Sequence, residues 1–247
     1  RPLPPRGVPQ GGLDRPVPQA AHAQTQGLDL GLSADATEAR LRYYSRRSVE
    51  IFELWEQVYG GDDGLVFVLS SQGANPWTAE TVLDFEDAYT HAHALAIAPY
   101  FGHNLGDEAT QDEVAAYSLD ELFAVLEPEV ATAIATMEAN AAVAADRGLP
   151  LIAYEGGQHL VGTGSAASNE ALAALFHDAN RDPRMGDLHR TYLDAWKASG
   201  GQLFAHFTYC AAWSIYGSWG ALETQEQDGS PKYDALVTFI EEEPQWW

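Results

Sequence analysis

Four short apolar runs, each followed by a stretch of helical periodicity, constrain the fold of this chain more than any other feature. They are Leu65–Leu69 (LVFVL), Ala94–Tyr100 (ALAIAPY), Leu151–Tyr154 (LIAY) and Leu203–Tyr209 (LFAHFTY). The first is continuously apolar, as in a strand buried on both faces of a sheet. Between and around the runs the spacing becomes three or four residues. Leu41, Tyr44, Ser48, Phe52, Trp55 and Tyr59 mark a helix over 37–59 that Gly60-Gly61 ends. Helical patterns follow over 78–93, over 107–147 as two helices with a break near Pro128, and over 169–178, 186–199 and 232–242. Strands alternating with helices predict an α/β fold with a parallel sheet and right-handed crossovers. Four such units are half of a (β/α)₈ barrel or a small doubly wound sheet. Neither GxGxxG nor GxxxxGK[ST] occurs, which favours the half-barrel.

Ahead of this pattern the texture differs. Residues 1–18 (RPLPPRGVPQGGLDRPVP) hold six of the 13 prolines. Proline fixes φ and removes a donor, so the segment is expected to be irregular and disordered. Residues 19–247 are read as one folded unit. The chain does not begin with Met, has no apolar signal core at its start, and is expected to be a piece of a longer protein. No apolar run approaches the roughly 20 residues of a membrane span.

Charge narrows the partners. Acids outnumber bases 36 to 13, a net −23. Such a field repels nucleic acid and anionic membranes but tolerates neutral glycans. Cys210 is the single cysteine, so neither an intramolecular disulfide nor a thiolate cluster is expected.

The carboxyl ends of parallel strands are where α/β proteins place their chemistry. Here they offer Gln72, Asn75 and Trp77; Tyr100 and His103; Glu155, Gln158 and His159; and Tyr209 and Trp213. Aromatic faces stack on pyranose rings, while amides and imidazoles bond hydroxyls, so the set suits a sugar pocket. Glu155, between a short apolar strand and two glycines, can serve as nucleophile, base or sugar acceptor. His103 and His159 with Glu155 fit no compact metal-ligand motif, and no metal or cofactor is expected. His91 and His93 lie at the opposite end and read as structural. His206 reads as a satisfied core histidine within a strand. No G-x-S-x-G is present.

The stretches RYYSRRSVEIFELWEQVYGG, LVFVLSSQGANPW, ALAIAPYFG and PLIAYEGGQHLVG together resemble the carboxyl-terminal half of clan A-like retaining glycoside hydrolases, found in large bacterial proteins with cellulose-binding modules. The resemblance covers about residues 19–240, and AYEGGQH is its most specific part. It implies a partial TIM (β/α)₈ barrel made of strands five to eight with their helices. It also implies Glu155 as nucleophile, Tyr100 placed to hydrogen-bond it, and Trp213 as the floor of the sugar site. The Asn-Glu expected at strand four, the general acid/base, has no counterpart before residue 37.

The expectation is therefore a glycoside hydrolase-like protein for the O-glycosidic bonds of a β-linked glycan, inactive as this fragment. The alternative is a non-catalytic carbohydrate-binding half-barrel, and a third reading is an unrelated α/β hydrolase or isomerase. An oligo- or polysaccharide is the expected partner. An extracellular or periplasmic place is expected for the complete parent, and self-association through open barrel edges for the fragment.

Overall fold

The computed structural model describes residues 18–247; the proline-rich expectation falls, but for Pro18, outside them. The architecture is α/β. Four strands, β1 (Val68–Ser70), β2 (Ala94–Ile97), β3 (Leu151–Ala153) and β4 (Gly201–Phe204), form one parallel sheet in the order β1-β2-β3-β4. Val68 pairs with Ala94, Leu95 with Leu151, and Leu151 with Gly201; an irregularity interrupts the β3–β4 register before Ala153 pairs with Phe204.

The eight α-helices among the described residues are α1 (Pro18–Asp29), α2 (Ala36–Tyr59), α3 (Pro76–Asp84), α4 (Gln111–Ala115), α5 (Leu119–Ala145), α6 (Glu170–Arg181), α7 (Pro183–Ala198) and α8 (Pro231–Glu242). Local chemistry explains their starts. Asp35, Asn75, Asn169, Asp182 and Ser230 each accept a backbone N–H of the first turn. Ser118 and Glu121 form a reciprocal capping box on α5.

Three helices carry the core. Leu69, Leu95, Ile97, Leu151 and Ala153 alternate along the strands and pack with Val82 and Leu83 of α3, Leu122 and Leu126 of α5, and Leu193 and Trp196 of α7. The alternate positions differ. Ala94 and Ala96 are buried, but Val68, Ser70 and Ile152 are only half-buried and Leu203 is 50% exposed. Val66, just before β1, is 72% exposed, so the first run is not buried on both faces. The second face of the sheet is thus unevenly covered, buried at Ala94 and Ala96 and open at Leu203.

Several elements differ from the sequence expectation. The β1 strand starts at Val68, because residues 65–67 pair only through His93, whose N–H donates to Phe67 O (2.7 Å) and whose Nδ1 accepts Phe67 N–H (3.0 Å). His93 also stacks on Phe67, so its role is structural. The break in 107–147 falls before Leu119 rather than at Pro128, and α5 runs unbroken through that proline. The last strand starts earlier and ends at Phe204, which leaves His206, Tyr209 and Trp213 in the following loop. Helix α1, unanticipated, packs along α2 with Gly27 seated against Ala39.

Candidate functional site

The site forms where β2, β3 and β4 end. After β3 the chain turns at Tyr154 and Glu155 into Gly156-Gly157. A Cβ on Gly156 would lie 2.6 Å from the Phe204 ring, and one on Gly157, at φ 138°, 2.9 Å from the His206 ring. The two glycines thus let β3 turn hard against the end of β4, and this close approach holds Glu155, half-buried, at the strand end.

Tyr100, on the neighbouring strand end, lies near enough to that carboxylate to feel its charge. Burial first, then the charge and acceptor oxygens of Glu155, raise the Tyr100 phenol well above its ordinary pKa. Tyr100 therefore remains a hydrogen-bond donor at any working pH. Tyr154, 51% exposed, has its phenol raised as well, by burial of its inner part and then by Glu155.

An aromatic wall completes the site. Tyr100 meets His159 edge-on with ring centroids 5.6 Å apart and Trp219 at 5.9 Å, while His159 and Trp219 lie 5.2 Å apart. Phe207 abuts Trp219 from the β4 side at 5.8 Å. Burial lowers the His159 pKa, which leaves the imidazole neutral at neutral pH. Its Nδ1 is buried without a partner. The Trp219 loop is tied down by Thr208 N–H to Trp219 O (3.0 Å) and Ala221 N–H to Thr208 O (2.8 Å).

Beyond Tyr100 and His159 a cleft of about 630 Å³ opens between the strand ends and α5. His103, Asn104, Asp107, Glu129 and Thr136 line it. Asn104 Nδ2 donates to both oxygens of Glu129, at 3.0 and 2.9 Å.

No family model, curated protein or solved structure matches this chain.

The ten residues singled out in the sequence separate into two groups. Glu155, Tyr100, His159 and His103 come together at this end of the sheet. The others stand apart from the wall or are spent on structure. Gln158 is buried, with Nε2 on Ser218 O (2.9 Å) and Oε1 on Leu160 N–H (2.6 Å), so its amide is fully engaged and corrects the sugar-binding expectation. Asn75 caps α3 through Trp77 N–H, while Gln72 and Trp77 lie exposed near that cap. Trp213 donates to Gly220 O and is flanked by Arg181 and Lys232, whose cations lie 5.1 and 4.8 Å from its ring. Trp219, not Trp213, joins the wall. Tyr209 is exposed beside Tyr233, on an apolar groove against α8.

His206 also departs from expectation. It lies past β4, not within it, and its Nε2 is buried without a partner. Burial pushes its pKa down to about 4, with Lys232 adding to the effect. Trp219, Asn104, Asp107 and Glu129 had no distinguishing signal in the sequence, because their approach to the strand ends depends on how the loops and α5 pack. Among the described residues no group of three or more His, Cys, Asp and Glu is placed to hold a metal.

Proposed function

We propose that this chain is the strand-five-to-eight half of a glycoside hydrolase-like (β/α)₈ barrel whose complete form cleaves O-glycosidic bonds of a β-linked glycan with retention. The juxtaposition of Tyr100 with the Glu155 carboxylate on adjacent strand ends, beside the Trp219–His159 wall, carries this reading. Trp219 and Tyr100 offer ring faces to a pyranose, and the Tyr100 hydroxyl orients the carboxylate. Glu155 would then attack the anomeric carbon, and a second carboxylate would protonate the leaving oxygen.

That second group must stand roughly 5–5.5 Å from the first in a retaining enzyme. The four strand ends, residues 70–72, 98–101, 154–159 and 205–209, contain one acid, Glu155. This observation favours a second reading for the chain as it stands: carbohydrate binding without turnover. Two measurements on the full chain separate the readings. Titration with a β-linked glucose oligomer, followed by tryptophan fluorescence, should saturate and should weaken at least about tenfold in Trp219→Ala. Hydrolysis of an aryl β-glycoside should be undetectable; turnover that disappears in Glu155→Gln would place a working acid in this chain and refute its expected inactivity. Absence of any glycan binding would remove both readings.

A further inference from the structure

Four buried polar side chains from four segments meet beside the Trp219 loop. They are His189 of α7, His206 past β4, Ser218 next to Trp219, and Lys232 of α8. Lys232 and Ser218 are 0% exposed and His189 1%. The His189 and His206 rings lie 5.7 Å apart, and both feel the Lys232 charge. Lys232 is the one fully buried lysine or arginine among the described residues, in a chain of 36 acids, yet it enters no ion pair there. Glu223, the acid whose charge reaches it, is taken up by Arg181 at 2.6 Å. Lys232 Nζ donates to Ser218 O (2.6 Å), a carbonyl shared with Gln158 Nε2 (2.9 Å), and lies 4.8 Å from the Trp213 ring. Two of the three ammonium N–H groups are left without an acceptor among the described residues. Three more side-chain atoms here are buried without a partner: Ser218 Oγ, His206 Nε2 and His189 Nε2. The first two can donate. His189 Nδ1 donates to Met185 O (2.8 Å), so the Nε2 of its neutral ring is a lone pair that takes a proton only when negative charge arrives.

Buried polar groups in native proteins are hydrogen-bonded, and a buried charge is paired. A hydroxyl and an imidazole gathered about an ammonium, with no carboxylate of their own, are the complement of a small anion. The field of the whole protein is negative and works against anions, so such a preference is local to these four side chains. We propose that the cluster is an internal site for one small monovalent anion of the halide type, held by Lys232 Nζ, Ser218 Oγ and His206 Nε2. The ion ties α7, α8 and the loop that carries Trp219 to one another. This inference is independent of the carbohydrate reading above.

Urea denaturation of the full chain tests it, with chloride replacing gluconate at constant ionic strength. An anion that binds only the folded chain raises the folding equilibrium constant in proportion to its concentration, once above its dissociation constant. Each tenfold rise in chloride should therefore raise that constant by up to about tenfold, and bromide should act alike. The charged and titratable groups facing Lys232 are His189, His206 and Glu223, the last paired with Arg181. A bound anion keeps protons on Lys232 and the histidines, so the chloride effect should be full near about pH 6 and fade toward about pH 9. Lys232→Met should abolish it. Ser218→Ala, which removes the hydroxyl and keeps the carbonyl, should weaken chloride binding by about three- to tenfold. Bromide-soaked crystals of the unmodified chain need no variant to fold and should show an anomalous peak beside Lys232 Nζ. Indifference of the unmodified chain to chloride over gluconate overturns the proposal, and so does a chloride effect that persists in Lys232→Met. Unchanged chloride binding in Ser218→Ala, or bromide found only at the surface, overturns it as well and leaves water to satisfy the cluster.

Discussion

At the residue scale, Lys232 is a group that water would charge and whose charge the fold opposes. It is fully buried on α8, donates to Ser218 O (2.6 Å), and sits near His189 and His206, whose Nε2 atoms lack partners. Burial lowers its pKa from 10.5 to about 7, partly opposed by Glu223. The sign follows from proton linkage. Between about pH 7 and 10.5 the unfolded chain holds a proton that the folded chain does not, so stability rises with pH through that window. Below it both forms are charged, and the penalty is constant and full. Lys232→Met should therefore remove the difference in urea midpoint between pH 7 and pH 9. Ser218 O keeps the Gln158 amide as a donor, so no carbonyl is orphaned. A slope unchanged in the variant would assign it to another group.

His206 and His189 act in the acid range. Both are held neutral by burial, His206 with a pKa of about 4 and His189 well below its ordinary value. Protons bind the unfolded chain first, so stability should fall as pH drops from about 6.5 toward 4. His206→Gln should flatten part of that fall in a thermal melt series.

At the scale of elements, α5 shows how position overrides propensity. Proline in a helix interior removes one hydrogen bond and costs about 3 kcal/mol. Pro128 is nevertheless tolerated because it lies on the exposed side of α5, as does Ala124, whose carbonyl loses its partner and faces water. The buried stripe Leu122, Leu126, Val130, Ala133 and Met137 continues through it undisturbed. Pro128→Ala should raise unfolding stability by about 1–3 kcal/mol, measured by urea denaturation. No gain would mean that α5 accommodates Pro128 at no net cost. The same element explains why the cleft was not legible: Glu129 neighbours a proline that reads as a helix break, so nothing in the sequence aimed it at the strand ends.

At the scale of the whole molecule, the sheet ends in two edges that are unpaired among the described residues. Leu203 lies exposed along β4, with Ile240 and Trp247 across an apolar groove of about 530 Å³; Val66 precedes β1, with Ile51, Leu54 and Trp55 exposed on α2. A parallel sheet is ordinarily covered on both faces and edges. The isolated chain should self-associate at micromolar concentration, read by light scattering after size exclusion. Its net charge of −23 opposes this, so raising salt should strengthen association rather than weaken it. A monomer at all salt concentrations would count against the half-barrel. No described helix is long and apolar enough to cross a membrane.

The alternation of apolar runs with helical periodicity was enough to establish an α/β chain with four parallel strands, because period and burial are local properties of the sequence. It also placed Glu155 and Tyr100 at strand ends, since both directly follow apolar runs. Tertiary structure decided what those ends are built from. Gln158 was consumed by Ser218 and Leu160, Trp213 was drawn between Arg181 and Lys232, and Trp219 folded back from fifteen residues past the end of β4 to reach Tyr100. Such choices depend on which side chains meet after the loops close, and contacts such as Gln158 with Ser218 and Tyr100 with Trp219, 60 or more residues apart, leave no periodic trace in the chain.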